Sequence, residues 1–207
     1  MSDLLVVVIS SPTFKEGESK IVCKLLGKGL SRFHLRKPDH TAIELAKFLD
    51  KIPKDLISRI IIHRKPELLN DYNVGGYHHT SRELLQKTSR IRSRSLHRLK
   101  EFDKCEKELD YVFFGPIFKS ISKVGHKPKI KLSEVQKKLQ KFKSDTKKPL
   151  VYALGGIRKS KISYLLDSEF DGVALLGSIW GKPSPIFAFT EFSKAVKIQS
   201  SRFKSHS

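Results

Sequence analysis

Apolar residues fall into two alternating patterns along this chain. Short continuous runs rich in Val, Ile and Leu give way to stretches in which apolar residues recur every three or four positions. The first run, LLVVVIS (Leu4–Ser10), is followed by Ile21, Val22, Leu25 and Leu26, and the second, RFHLRK (Arg32–Lys37), by Ile43, Leu45, Ala46, Phe48 and Leu49. Three further strand candidates are LISRIIIH ending at His63, NVGGYHH ending at His79 and SRIRSRSLH ending at His97. DYVFFGPIF then follows the helical spacing of Leu99, Phe102, Cys105/Glu106 and Leu109. PLVYALGG follows that of Leu132, Val135, Leu139 and Phe142, and DGVALLGS that of Ile162, Leu165 and Leu166. A last helix is predicted from Phe187, Phe189, Phe192, Ala195 and Val196.

Strands that read as nearly continuous apolar runs are buried on both faces, as in all-parallel sheets. Eight of them alternating with helices in 207 residues predict an α/β protein, a single-domain (β/α)8 TIM barrel over residues 1–198, in preference to a doubly wound open sheet. Residues 199–207, QSSRFKSHS, read as a flexible basic tail, and Lys119–Lys131, rich in Lys, Ser, Gly and Pro, as a mobile loop too long for an ordinary βα turn.

Charge narrows the partners without choosing one. The chain carries 41 Lys+Arg against 21 Asp+Glu, a formal net charge of +20, which favours anionic partners. The basic residues are spread over the predicted helices instead of forming a stripe with interleaved aromatics, so nucleic acid is disfavoured. Cys23 and Cys105 lack Cys-x-x-Cys or Cys/His ligand spacing and read as buried free thiols in a reducing compartment. Asp3 stands where a signal peptide carries Lys or Arg, and no apolar run reaches membrane-spanning length. The expectation is a cytoplasmic protein with no membrane partner.

In such a barrel the active site lies at the C-terminal ends of the strands. Those ends supply Ser10 and Ser11, His34 and Arg36, His63, His78, Ser95 and His97, Gly115, Gly155-Gly156 and Gly177-Ser178, and no carboxylate. Glycine turns after the seventh and eighth strands let backbone amides approach a phosphate closely. ALGGI and LLGSI fall at those two places, and the coincidence on adjacent strands favours a phosphate site over ordinary turns. His34, His78 and His97 are placed to point into the mouth, whereas His63 and His79 read as polar rim residues. No i, i+4 histidine pair or second-shell carboxylate is visible, so no metal site is expected. Lys123 is a candidate to close over an anion.

HLR at the second strand end, RSLH at the fifth, DYVFFGPIF with SK a few residues on, ALGGI and GVALLGSIW resemble, in order and place, the thiamine-phosphate synthase/TenI family of phosphate-binding barrels. The resemblance spans about Leu4 to Trp180 and is most specific from Asp110 to Trp180. It implies a role in thiamine biosynthesis, with a thiazole phosphate held by Gly155, Gly156, Gly177 and Ser178 and a homo-oligomeric assembly. The family contains two activities. Synthases join a pyrimidine pyrophosphate to the thiazole phosphate with Mg²⁺ held by Asp residues near the third and fourth strand ends. Here those places read His63-Arg64 and HTSREL, leaving Glu83 as a substitute and Asp71 as a more distant one. At the second strand His34 replaces the synthases' Gln, Arg36 stays, and Pro38 takes the position of their Lys, with Lys37 displaced by one. Lys123 matches the loop lysine of synthases.

The TenI-like thiazole tautomerases move a proton to aromatise the thiazole and need no metal. That branch resembles this chain in His34-x-Arg36 and in Arg94-Ser95-x-His97, which implies His97 as the proton-transfer residue, His34 as a second catalytic residue, and Arg36 and Ser95 as substrate-binding. An imidazole, titrating near ~6.5, suits a proton that is taken and returned at neutral pH. The reading preferred on these residues is a tautomerase with no cofactor. The alternative is a Mg²⁺-dependent synthase using pyrimidine pyrophosphate, and a nucleic-acid binder or a catalytically silent phosphate-binding member stands behind both.

Overall fold

Strands apolar on both faces need cover on both sides, and here they obtain it by closing on themselves. The computed structural model describes residues 4–81, 83–85, 88–119, 130–144 and 147–204, the side chains of 202–204 excepted. The strands are β1 (Leu5–Ile9), β2 (Arg32–Leu35), β3 (Ile60–His63), β4 (Gly76–His79), β5 (Ile91–Leu96), β6 (Tyr111–Phe114), β7 (Leu150–Leu154) and β8 (Gly172–Leu175). They pair in parallel and in sequence order, with β8 returning to β1, so the sheet is a closed (β/α)8 barrel as predicted. Its helices are α1 (Glu18–Gly27), α2 (Ala42–Leu49), α3 (Lys54–Ile57), α4 (Leu68–Asp71), α5 (Leu132–Lys143), α6 (Ile162–Leu166), α7 (Gly177–Trp180) and α8 (Pro185–Lys204).

Two apolar layers result. Outward-facing strand residues such as Val8, Phe33, Ile60, Ile62, Val112 and Val151 pack against the helices. Inside the barrel Val7, Ile9, Tyr111, Phe113, Tyr152 and Ala174 form a second cluster. That inner cluster draws on β1, β6, β7 and β8, while β2 to β5 send His34, His63, His78 and Ser93 into the same space, all four buried. The interior is therefore apolar on one side and polar on the other.

The departures from the predicted elements have local causes. LISRIIIH is split: Pro53 starts α3, and the strand begins only at Ile60, after Arg59 turns its guanidinium onto the Leu26 and Leu30 carbonyls. The helix expected around Leu99, Phe102 and Cys105 is a six-residue 3₁₀ helix, Leu99–Lys104. An i, i+3 spacing aligns residues on one edge of a 3₁₀ helix as well as on an α-helix, so the spacing could not distinguish them. α8 runs to Lys204, past the 198/199 boundary drawn from the sequence, and buries Ser200. Lys123 and most of the predicted loop lie outside the described residues. Among the described residues no helix is long and apolar enough to cross a membrane.

Candidate active site

Parallel strands in register send every second residue inward, and this parity sorts the predicted site. Register pairs Ile9 with His34, His34 with Ile61, His63 with His78, His78 with Ser93 and Ser95 with Phe113. His34, His63 and His78 thereby converge. His34 Nδ1 lies 3.0 Å from His63 Nε2, its Nε2 lies 2.8 Å from the Tyr111 hydroxyl, and the His63 and His78 rings stack at 4.2 Å. His78 reaches the Ser93 and Ser95 hydroxyls at 2.8 and 3.0 Å.

His34, expected to point into the mouth, is fully enclosed with both ring nitrogens engaged, by His63 and by Tyr111. His63, expected on the rim, belongs instead to the floor. His79 faces the opposite side from His78 and packs against Tyr77. Tyr111 and Ser93 were not anticipated. Their signal was the two-residue step from Ser95 and Phe113, which became readable only with the register known.

Burial dominates the titration of the floor. It holds His34 and His63 well below the ordinary imidazole range, with neighbouring histidines adding to the effect and Arg32, or Arg36 and Arg64, contributing less. It pushes His78 down to about 3, assisted by His79, Arg36, Arg94 and His97. The native floor is thus neutral, whereas an unfolded chain protonates these residues below about pH 6.5. The unfolded state then binds more protons, so stability is present in full above about pH 7 and falls as pH drops. The expected loss is about 1 kcal/mol per histidine between about pH 7 and about pH 5.5. Urea unfolding in chelator-containing buffers at the two pH values checks this. A His63→Asn variant should show a shallower dependence, and a flat wild-type profile would refute the argument.

Above the floor, the rim is cationic. Arg36, half-buried at the β2 end, has its pKa lowered by burial and by nearby Arg64, with Asp39 opposing. Arg64, in left-handed backbone with φ 62°, stands at the β3 end. His97 is exposed beyond β5, and its Nδ1 lies 2.8 Å from the Gly115 carbonyl oxygen. A carbonyl only accepts, so Nδ1 carries the proton and donates it, and in the neutral ring Nε2 is left as a base. Ser10 locks the β2 end by accepting from the Arg36 amide and donating to its carbonyl.

β7 and β8 are hydrogen-bonded neighbours, so Gly155-Gly156 and Gly177-Ser178 stand side by side. Gly155 and Gly156 have φ of 92° and 65°. A Cβ on Gly156 would lie 2.5 and 2.7 Å from the Lys119 and Phe118 carbonyl oxygens, so the chain after β6 also demands glycine there, whatever binds above. Gly156→Ala is expected to lose about 1–3 kcal/mol from backbone strain alone, read as a lower urea midpoint. Ser178 lines a cleft of about 590 Å³ together with Arg158, Lys159, Lys182 and Phe187.

Among the described residues, the carboxylates that a Mg²⁺-bound pyrophosphate would require are not assembled. Glu83 accepts from the Tyr77 hydroxyl at 3.1 Å and from the Thr80 amide, closing its own turn. Asp71 ends α4, which leads into β4, so it stands at the opposite end of the barrel from the mouth. Lys37 is buried, with Nζ 2.7 and 2.8 Å from the two Glu18 carboxylate oxygens and 2.9 Å from the Ser11 and Thr13 carbonyls. Mg²⁺ prefers oxygen donors, and neither Arg64 nor an engaged Glu83 offers the set that it needs. The described residues do not fit that ion.

A closed parallel barrel with basic and imidazole groups gathered at its C-terminal mouth, and glycine turns after its last two strands, places this chain in the class of (β/α)8 barrels. The family model described as thiamine monophosphate synthase matches residues 4–179, and the chain belongs to that thiamine-phosphate synthase/TenI family. It is 27% identical over 189 residues to a thiamine-phosphate synthase of Prochlorococcus marinus, covering 86% of this chain but 53% of that protein, so it spans about half the length of this relative. A crystal structure of thiamine phosphate pyrophosphorylase from Bacteroides thetaiotaomicron is similar at 30% identity and TM-score 0.78, over 96% of this chain and 98% of that one. The thiamine phosphate pyrophosphorylase of Pyrococcus furiosus shares the fold at 20% identity and TM-score 0.76, over 95% and 96%. The names of these relatives speak for the synthase, which was the alternative on sequence, and not for the tautomerase preferred there.

Proposed function

We propose that this enzyme binds a thiazole phosphate at Gly155, Gly156, Gly177 and Ser178 and isomerises it by proton transfer through His97. The observation that carries this reading is the Nδ1–H of His97 held on the Gly115 carbonyl, which leaves Nε2 as a base at the mouth. Gly115 abuts the Leu154 carbonyl, and the Ile117 amide bonds that same oxygen, so β6 links His97 directly to the glycine end of β7. A phosphate held there puts the attached ring between anchor and base. His97 Nε2 removes a proton from one ring position and returns it at another, leaving the composition of the substrate unchanged as the ring becomes aromatic. Arg36, with Arg64 beside it, supplies positive charge for a substrate carboxylate, and Ser95 extends the polar wall.

The second reading is synthesis of thiamine phosphate from a pyrimidine pyrophosphate and the aromatic thiazole phosphate. The relatives' names favour it. Against it stand the engaged Glu83, Arg64 at the place of a metal-binding Asp, and Lys37 sequestered by Glu18. The two readings separate in one experiment. The purified protein is incubated with the non-aromatic thiazole carboxylate phosphate, and separately with pyrimidine pyrophosphate, aromatic thiazole phosphate and Mg²⁺. Isomerisation without added metal is expected; Mg²⁺-dependent thiamine phosphate formation without isomerisation would replace the first reading with the second.

A further inference from the structure

The proton-transfer reading uses His97 and leaves three buried imidazoles without a task. His34, His63 and His78 come from three adjacent strands, and one ring nitrogen of each lies within 4.8 Å of those of the other two. Two of these, His34 Nδ1 and His63 Nε2, are 3.0 Å apart and share a single proton between them. Ligands bound tetrahedrally at Zn–N distances near 2.0–2.1 Å sit roughly 3.4 Å apart, so that pair needs a shift of a few tenths of an ångström, and His78 Nε2, now 3.0 Å from the Ser95 hydroxyl, must give up that contact to join it. The outer nitrogens are already supported: Tyr111 OH at 2.8 Å from His34 Nε2 and Ser93 Oγ at 2.8 Å from His78 Nδ1 are the second-shell contacts that orient metal-bound imidazoles.

We propose that His34, His63 and His78 form a binding site for a divalent transition metal of the Zn²⁺ class, with a fourth position open towards the barrel mouth. Three imidazoles and no carboxylate select borderline transition ions over Mg²⁺ or Ca²⁺. His34 is wholly enclosed, while His63 and His78 retain 7% and 6% exposure, so what opening the set has lies at those two residues. Arg36 and Arg64 on the rim add positive charge above the ion, and an anionic oxygen is therefore the natural fourth ligand. The buried imidazoles are neutral, the state a metal ligand requires. This site is separate from the carboxylate-held Mg²⁺ of a synthase reaction, and it does not depend on His97 acting as a base.

The test uses full-length protein without an affinity tag, stripped by a chelator. Calorimetric titration with Zn²⁺ is expected to give one ion per chain, unaffected by millimolar Mg²⁺. The Co²⁺ adduct should show the intense visible bands of a four-coordinate ion, and acetate should shift them. His63→Ala and His78→Ala should each weaken Zn²⁺ binding at least ~100-fold, and Ser93→Ala about 10–100-fold. His40→Ala, altering a surface histidine that faces Glu44, should change nothing. Circular dichroism verifies folding, and His63→Asn replaces the alanine variant should that fail to fold. Less than half an equivalent of Zn²⁺ bound, or binding indifferent to His63 and His78, would overturn the site and leave a hydrogen-bonded imidazole chain. A Co²⁺ spectrum insensitive to acetate would overturn the open fourth position. Every readout is independent of turnover, so this proposal and the isomerase reading can fail separately.

Discussion

The His97→Ala enzyme is expected to isomerise the thiazole carboxylate phosphate roughly 10²–10⁴-fold more slowly than wild type, the usual contribution of a positioned general acid/base. The loss should fall on kcat with KM little changed, because the glycines after β7 and β8 that are proposed to hold the phosphate are untouched. Stability should barely move, since the exposed ring's only described side-chain bond is to the Gly115 carbonyl. His97→Asn separates chemistry from geometry. Its amide can still donate to that carbonyl but cannot shuttle a proton, so it should be as slow as alanine. Activity restored by asparagine would show that His97 positions the mouth and that another group moves the proton. Gly156→Ala complements both variants by weakening thiazole phosphate binding beyond its loss of stability.

Lys37→Met should destabilise the protein by about 3–5 kcal/mol, the cost of stranding one member of a buried ion pair. The ammonium and the Glu18 carboxylate are both almost completely enclosed, and the Ser11 and Thr13 carbonyls would lose their donor in the same step. For a chain of this size that is roughly 6–20 °C in Tm. The partner change Glu18→Leu, made together with Lys37→Met, removes the uncompensated charge and should recover most of the loss. Residual activity per folded molecule should match wild type, because Lys37 faces α1 and not the mouth. A Lys37→Met protein of unchanged Tm that lost Mg²⁺-dependent synthesis would instead place this lysine on a pyrophosphate.

The strands were legible because an inner barrel strand is apolar on both faces, and such a run is a local property. β6, β7 and β8 were recognisable for that reason, and so was the glycine pair after β7. The 3₁₀ helix at Leu99–Lys104 was not, since its i, i+3 spacing is common to two helix types. Lys37 was equally opaque: its partner Glu18 is 19 positions earlier, and nothing between them marks the contact.

The sequence by itself determined the alternation of eight strands with helices, the family, and the polar residues that end each strand. Side-chain periodicity and turn chemistry are written within a few residues, so these features survive without a fold. Only the tertiary structure decided which of those residues meet. His34 and His63 are 29 positions apart in the chain, and they touch because inward parity turns both into the closed barrel, His63 standing one inward step beyond Ile61, the register partner of His34. The same closure enclosed Lys37 with Glu18 and turned the Nδ1 of His97 onto Gly115, leaving one imidazole nitrogen at the mouth.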